Sequence, residues 1–129
     1  MSSDEEGSVT AFVTALLVVF VACAGLAVDG GRLVATRAEL LDHAGNAARV
    51  GVQNVTNLRS GDPLVDVDRA RVAAERYLRA HGVEGTVMAT PEIVTVRASR
   101  VVPLTVLSVI GLGSRWISAE RSATPVPGP

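Results

Sequence analysis

Apolar residues run without a charge from Val9 to Val28, and beyond them the apolar positions thin into a helical rhythm. Leu33, Leu40, Leu41, Ala44, Ala48, Val52 and Val55 recur near i, i+3, i+4 and i+7 spacing. Arg37, Glu39, Asp42, Asn46, Arg49 and Gln53 fill the other face. The pattern predicts one helix over residues 8–57, its first half uncharged and its second half an amphipathic stalk. The apolar face of the stalk is poor in bulk, with Ala44, Ala47, Ala48 and Gly51 close together, and small residues let a neighbouring helix or sheet approach closely.

Arg59-Ser60-Gly61-Asp62-Pro63 should break the helix, because glycine and proline punctuate regular structure. A second helix is expected from Val67 to His81, with Asp66 as its N-cap and Gly82 as the residue just past its end. Val67, Ala70, Ala74, Tyr77 and Leu78 mark its buried side. After Gly82 the composition turns β-branched. Gly85–Thr90 and Glu92–Ala98 read as two strands joined at Pro91, and the alternation of Trp116–Ala123 as a third. Between them Val101–Ser114 is uncharged and apolar, contains Pro103, and is flanked by Arg100 and Arg115. It is short for a second membrane span, so a connector packed on the core or dipping into the membrane interface is expected. Thr124–Pro129 reads as a Pro-rich disordered tail.

The chain therefore divides into a short acidic leader (1–7), a transmembrane helix (8–28), an amphipathic stalk (29–58), a small α+β domain (64–123) and the tail (124–129). The 60–129 fragment is expected to fold apart from the stalk. The fold class is α+β: a long N-terminal transmembrane and stalk helix, a second short helix and a small antiparallel sheet, pseudopilin-like in outline.

The mean hydropathy of +0.36 is high for a soluble domain, and the run from Val9 is its source. Twenty helical residues reach about 30 Å, the thickness of a hydrocarbon core. Two cleaved readings compete with a retained helix. One is a secretory signal cut after Ala24, since Ala22-Cys23-Ala24 has small residues at the right places; the other is a lipoprotein signal with Cys23 as the lipidated residue. Both call for a basic leader and a shorter apolar stretch, whereas this chain opens with Asp4-Glu5-Glu6 and keeps its helical pattern past the supposed cut. The retained helix is favoured.

All twelve basic residues are Arg, yet the net charge is only −1 and no basic cluster forms. With Phe12, Phe20, Tyr77 and Trp116 as its only aromatics, the chain lacks a base-stacking platform, so no nucleic-acid partner is expected. One cysteine cannot form a disulfide within the chain. His43 and His81 fall on different predicted helices without metal-ligand spacing, and His81 suits a helix C-terminus. Asp29-Gly30-Gly31-Arg32 lacks the form of a phosphate loop, and Asp66 with Asp68 suits a helix start better than acid–base catalysis. No catalytic, cofactor-binding or metal-binding residue can be named, and the expectation is a protein that is not an enzyme.

The most informative polar residues are Asp29 and Arg32, three apart where the apolar run ends. They are an interfacial pair that halts the span, with Arg32 snorkelling to headgroups, or a docking pair for another helix. Gly7-Ser8-Val9-Thr10-Ala11-Phe12, the apolar run, Gly25-Leu26-Ala27-Val28-Asp29-Gly30-Gly31-Arg32-Leu33 and Arg37–Ala48 together resemble the N-terminal region of TadE/TadG-like proteins of tight-adherence (Flp-type) pilus assembly, a resemblance that covers about residues 7–53. At Phe12 the chain departs from pilins, which carry Glu there.

The resemblance implies a membrane-anchored structural or accessory component, a minor pilin or pseudopilin, of a Tad/Flp-type pilus or related secretion apparatus. Its partners would be membrane lipid, other pilus or secretion subunits through helix packing, and a prepilin peptidase with Gly7 and Ser8 as the candidate processing site. Arg32 and Arg37 after the span favour a cytoplasmic C-terminus by charge, whereas the resemblance implies an extracytoplasmic domain on a single-pass anchor in the cytoplasmic membrane, and that orientation is the one expected. The alternative is a bitopic envelope protein or lipoprotein whose β-rich domain binds a ligand or partner.

Overall fold

A computed structural model describes residues 3–56 and 63–126, with side chains from residue 7 onward. Helix α1 runs from Ser3 to Val52 without a break. It starts before residue 8 because no proline interrupts the leader, and it ends at Val52, not residue 57. There Asn54 folds back, its side-chain amide donating to the Val50 and Gly51 carbonyls at 3.2 and 3.3 Å. Carbonyls in the last turn lack the helical partner four residues on; the amide serves both, and the Gly51 carbonyl also accepts the Asn54 backbone N–H at 3.1 Å.

The chain then forms β1 (Val55–Thr56), which pairs antiparallel with β2 (Leu64–Val65). The expected break at 59–62 lies outside the described residues. Helix α2 spans Val67–Ala80. The Asp66 carboxylate caps it by accepting the Arg69 N–H at 3.1 Å, and His81 closes it, followed by Gly82 at φ +63°. Both ends follow the cap chemistry legible in the sequence.

Strands β3 (Glu84–Ala89), β4 (Val94–Pro103) and β5 (Ser114–Ala123) form one antiparallel sheet in the order β3-β4-β5. The expected strand over 92–98 is longer by five residues at its C-terminal end, so the first part of the apolar stretch 101–114 is strand. Cross-strand pairing recruits it: Val101 faces Trp116, and Pro103 faces Ser114. The rest is a loop holding a short 3-10 helix, Leu107–Ile110. Past β5, residues 124–126 form no regular element, and 127–129 of the tail lie outside the described residues.

Alternation decides which face of the sheet is buried. Val87, Val94, Val96, Ala98, Val102 and Ala119 point inward, whereas Thr95, Arg97, Glu120 and Ser122 lie on the open face. The two helices cover the inner face together, α1 over β4 and β5 and α2 beside β3. Leu40, Ala44, Ala47 and Ala48 of α1 enter the same core as Ala70, Ala74 and Leu78 of α2. The small residues let α1 lie close to the sheet, and Gly85 does the same for α2. A Cβ at Gly85 would stand 3.0 Å from Leu78 Cδ1 of α2 and 2.6 Å from the Arg97 carbonyl oxygen of β4.

The stalk (29–58) and the domain (64–123) are accordingly one packed unit. A fragment beginning at residue 60 lacks Leu40, Ala44, Ala47 and Ala48, four of the fourteen residues in the buried core cluster.

Candidate functional site

On α1 the buried positions form a stripe that begins inside the apolar run: Gly25, Asp29, Leu40, Ala44, Ala47, Ala48 and Gly51, with Leu33 and Thr36 half-buried between them. Steps of three and four residues keep such a stripe on one side of a helix. Strand β4 descends along it. Val94 packs at Gly51, the Arg100 guanidinium meets Glu39 Oε2 at 2.8 Å, and Val106 lies against Gly25. From Gly51 to Gly25 the helix covers about 39 Å; β4 runs beside it for about 30 Å, and the bent residues 104–106 carry the chain on to Gly25.

At the far end of this seam the loop after β4 closes on Asp29. Its carboxylate accepts the backbone N–H groups of Thr105 at 3.1 Å, Val106 at 2.9 Å and Leu107 at 2.8 Å, and the residue is fully buried. Only an ionised carboxylate has lone pairs for three donors and no proton to place. Arg32 does not pair with Asp29 directly. Its guanidinium donates to the Thr105 hydroxyl, so both side chains hold the same three-residue stretch. The neighbour that the Asp29 and Arg32 spacing engages is thus a loop of its own chain.

Higher on the seam, Arg100 is the largest influence on Glu39. Its hydrogen bond and its charge hold the Glu39 carboxyl below the ordinary glutamate range, with a smaller contribution from His43, against a partial loss of hydration. The His43 Nε2 lies 3.8 Å from Glu39 Oε1.

His43 and His81, which the sequence separates, come within 5.4 Å between ring centroids, and Tyr77 stacks on His81 at 4.1 Å. The His81 Nδ1 lies 2.8 Å from the Tyr77 carbonyl oxygen, the terminal role expected of it. The His43 Nδ1 is buried without a hydrogen-bond partner among the described residues. Among those residues no three His, Cys, Asp or Glu side chains converge as metal ligands. Cys23 is exposed on α1, and the Gly7–Ser8 bond lies in its first turns.

The sequence offers no sign of the Gly25–Val106 contact. Inside an apolar run a buried face and a lipid face have the same composition, so periodicity is silent there. Gly25 lies four residues before Asp29, the charge that ends the run, and on the same side of the helix.

This geometry defines a class: a long helix, apolar enough over its first half to cross a membrane, whose second half is built into a small α+β domain. The family model for Flp pilus-assembly TadE/G-like proteins (Tad) matches residues 7–54, so this part of the chain is similar to that family. The match begins at the candidate processing glycine and ends at Asn54, the residue that closes α1. No curated protein and no solved structure matches the chain.

Proposed function

We propose that the protein is a minor pilin or pseudopilin-like accessory of a Tad/Flp-type pilus or a related secretion apparatus, anchored in the cytoplasmic membrane with its domain outside. The observation that carries this reading is the coincidence of the Tad match over residues 7–54 with the single helix Ser3–Val52. The role is structural and not enzymatic. The uncharged half of α1 holds the subunit in the bilayer, and the open face of the sheet, with Thr95, Arg97, Glu120 and Ser122, is left for other subunits.

Gly7–Ser8 is the candidate bond for a prepilin peptidase. Intact-mass measurement of the membrane-extracted protein sorts the two roles: a chain starting at Ser8 is a pilin, and one that keeps its leader is a permanently anchored accessory. In-cell crosslinking from the open sheet face tests the function itself. Capture of pilus or secretion subunits, with loss of pili on deletion, is the expected result. Normal pili and no such crosslinks would leave the bitopic, partner-binding envelope protein. An alkaline-phosphatase fusion at the C-terminus should be active; activity only from a cytoplasmic reporter would reverse the orientation.

A further inference from the structure

We propose that the β4–β5 loop, residues 104–113, inserts its apolar tip into the lipid surface beside α1, so that the domain stands on the bilayer at a fixed height and does not swing on its anchor. The proposal rests on the reading that residues 8–28 cross a membrane.

The first argument is position. Val106 packs on Gly25, three residues inside the end of the uncharged run, and Thr105–Leu107 are tied to Asp29, one residue beyond it. If Val28 marks the edge of the hydrocarbon, Gly25 lies about 5 Å within it. Residues 105–107, at the base of the loop's exposed turn, therefore sit at the level of the acyl chains and glycerol groups.

The second argument is chemistry. From Val101 to Ser114 the chain carries no charge, and Val109 and Ile110 are 86% and 72% exposed, with Leu112 half exposed. Nothing in the described part of the chain covers them. Arg32, Arg100 and Arg115 flank the loop, the placement that cationic side chains take at a membrane surface.

The third argument is the backbone. Irregular chain tolerates lipid only where its polar groups are satisfied internally. Here Asp29 takes three consecutive amides, while Val109, Gly111 and Leu112 donate to Val106, Ser108 and Leu107, and Leu104 donates to Gly113. The Ser108 hydroxyl turns inward to the Thr105 carbonyl at 2.7 Å. A loop that meets lipid requires its amides to be satisfied in this way, with no water to take them. On the open sheet face Val101 and Trp116 pair two residues before β4 ends, where an exposed aromatic suits the membrane interface.

Bromine-quenching in vesicles of phosphatidylcholine and phosphatidylglycerol tests this on the full chain, with Trp116→Phe silencing the native indole. Ile110→Trp reports the loop and Phe20→Trp reports the span; both sites are exposed, so both variants should fold. The expected result is a blue-shifted Ile110→Trp emission, quenched more by bromines near the glycerol end than by bromines deep in the chains, with the reverse order for Phe20→Trp. If Phe20→Trp is quenched and Ile110→Trp is instead quenched by aqueous iodide, the loop stays in water and the proposal fails while the span stands. If Ile110→Trp is shielded from both lipid bromine and iodide and crosslinks to a second copy, the occupant is another subunit and the proposal also fails. Loss of quenching at both sites overturns the span, and the proposal with it.

Discussion

Asp29 Oδ2 accepts the Leu107 N–H at 2.8 Å across 78 residues of sequence, and that bond ties the last turn of the apolar run to the tip of the β4–β5 hairpin. A charge placed where a membrane helix ends is commonly given to water or headgroups. Here the chain's own backbone takes it, and the loop acquires a defined conformation in exchange.

Asp29→Ala should release that loop without unfolding the domain. Hydrogen exchange of the full-length protein in micelles should speed up at Thr105, Val106 and Leu107, while Val94 and Val96 in the middle of the sheet remain protected. Asp29→Asn should fall between the two, because an amide offers one oxygen in place of two. Equal protection at 105–107 in all three proteins would show that the carboxylate is not what orders the loop.

Gly25→Ala should strain the same contact from the other side. A Cβ there would stand 2.2 Å from Val106 Cγ1 and 2.9 Å from Val106 Cβ, distances that need the loop to move. Val106→Ala should relieve the first clash and Val106→Gly both, so rescue should be graded. A double-mutant cycle should give a coupling of about 1–3 kcal/mol. Additive effects in that cycle would mean the helix and loop separate too easily for the contact to matter.

Glu39→Gln should lower stability modestly at neutral pH, by about 0.2–1 kcal/mol, since the pair with Arg100 is about half exposed. The folded carboxyl titrates below its unfolded value, so its contribution is present above about pH 4.5 and fades as the pH falls through the lower, folded value. Melting curves of the two proteins should therefore differ at pH 7 and converge near pH 3. A gap that persists in acid would point to lost packing and not to charge.

Leu40→Ala should cost about 2–5 kcal/mol, because Leu40 is fully buried between α1 and the sheet. Val34→Ala, on the open side of the same helix, should stay within about 0.5 kcal/mol. By the same argument a 60–129 fragment should show no cooperative melt, whereas one beginning at residue 29 should. Cooperative folding of the shorter fragment would mean that α2 and the sheet suffice as a core.

The long helix, α2 and the core of the three-stranded sheet were legible in the sequence because their causes are local, whereas β1, β2 and the end of β4 depend on pairing with distant residues. A twenty-residue uncharged run can only be buried or in lipid, Asp66 and Gly82 cap α2 through contacts within four residues, and β-branched alternation sets β3, the start of β4 and most of β5. The α+β class and the Tad resemblance were legible for the same reason. That Asp29 faces Thr105–Leu107, that Gly25 is buried, that His43 meets His81 and that the stalk belongs to the domain core became visible with the packed fold. Those contacts arise because β4, rising about 3.3 Å per residue, lies along a helix rising about 1.5 Å per residue, which carries Val94–Pro103 from Gly51 towards Asp29 and leaves the loop after it to reach Gly25. No residue in either segment encodes that alignment alone; it follows from the sheet pairing and from the small side chains that let the helix settle on it.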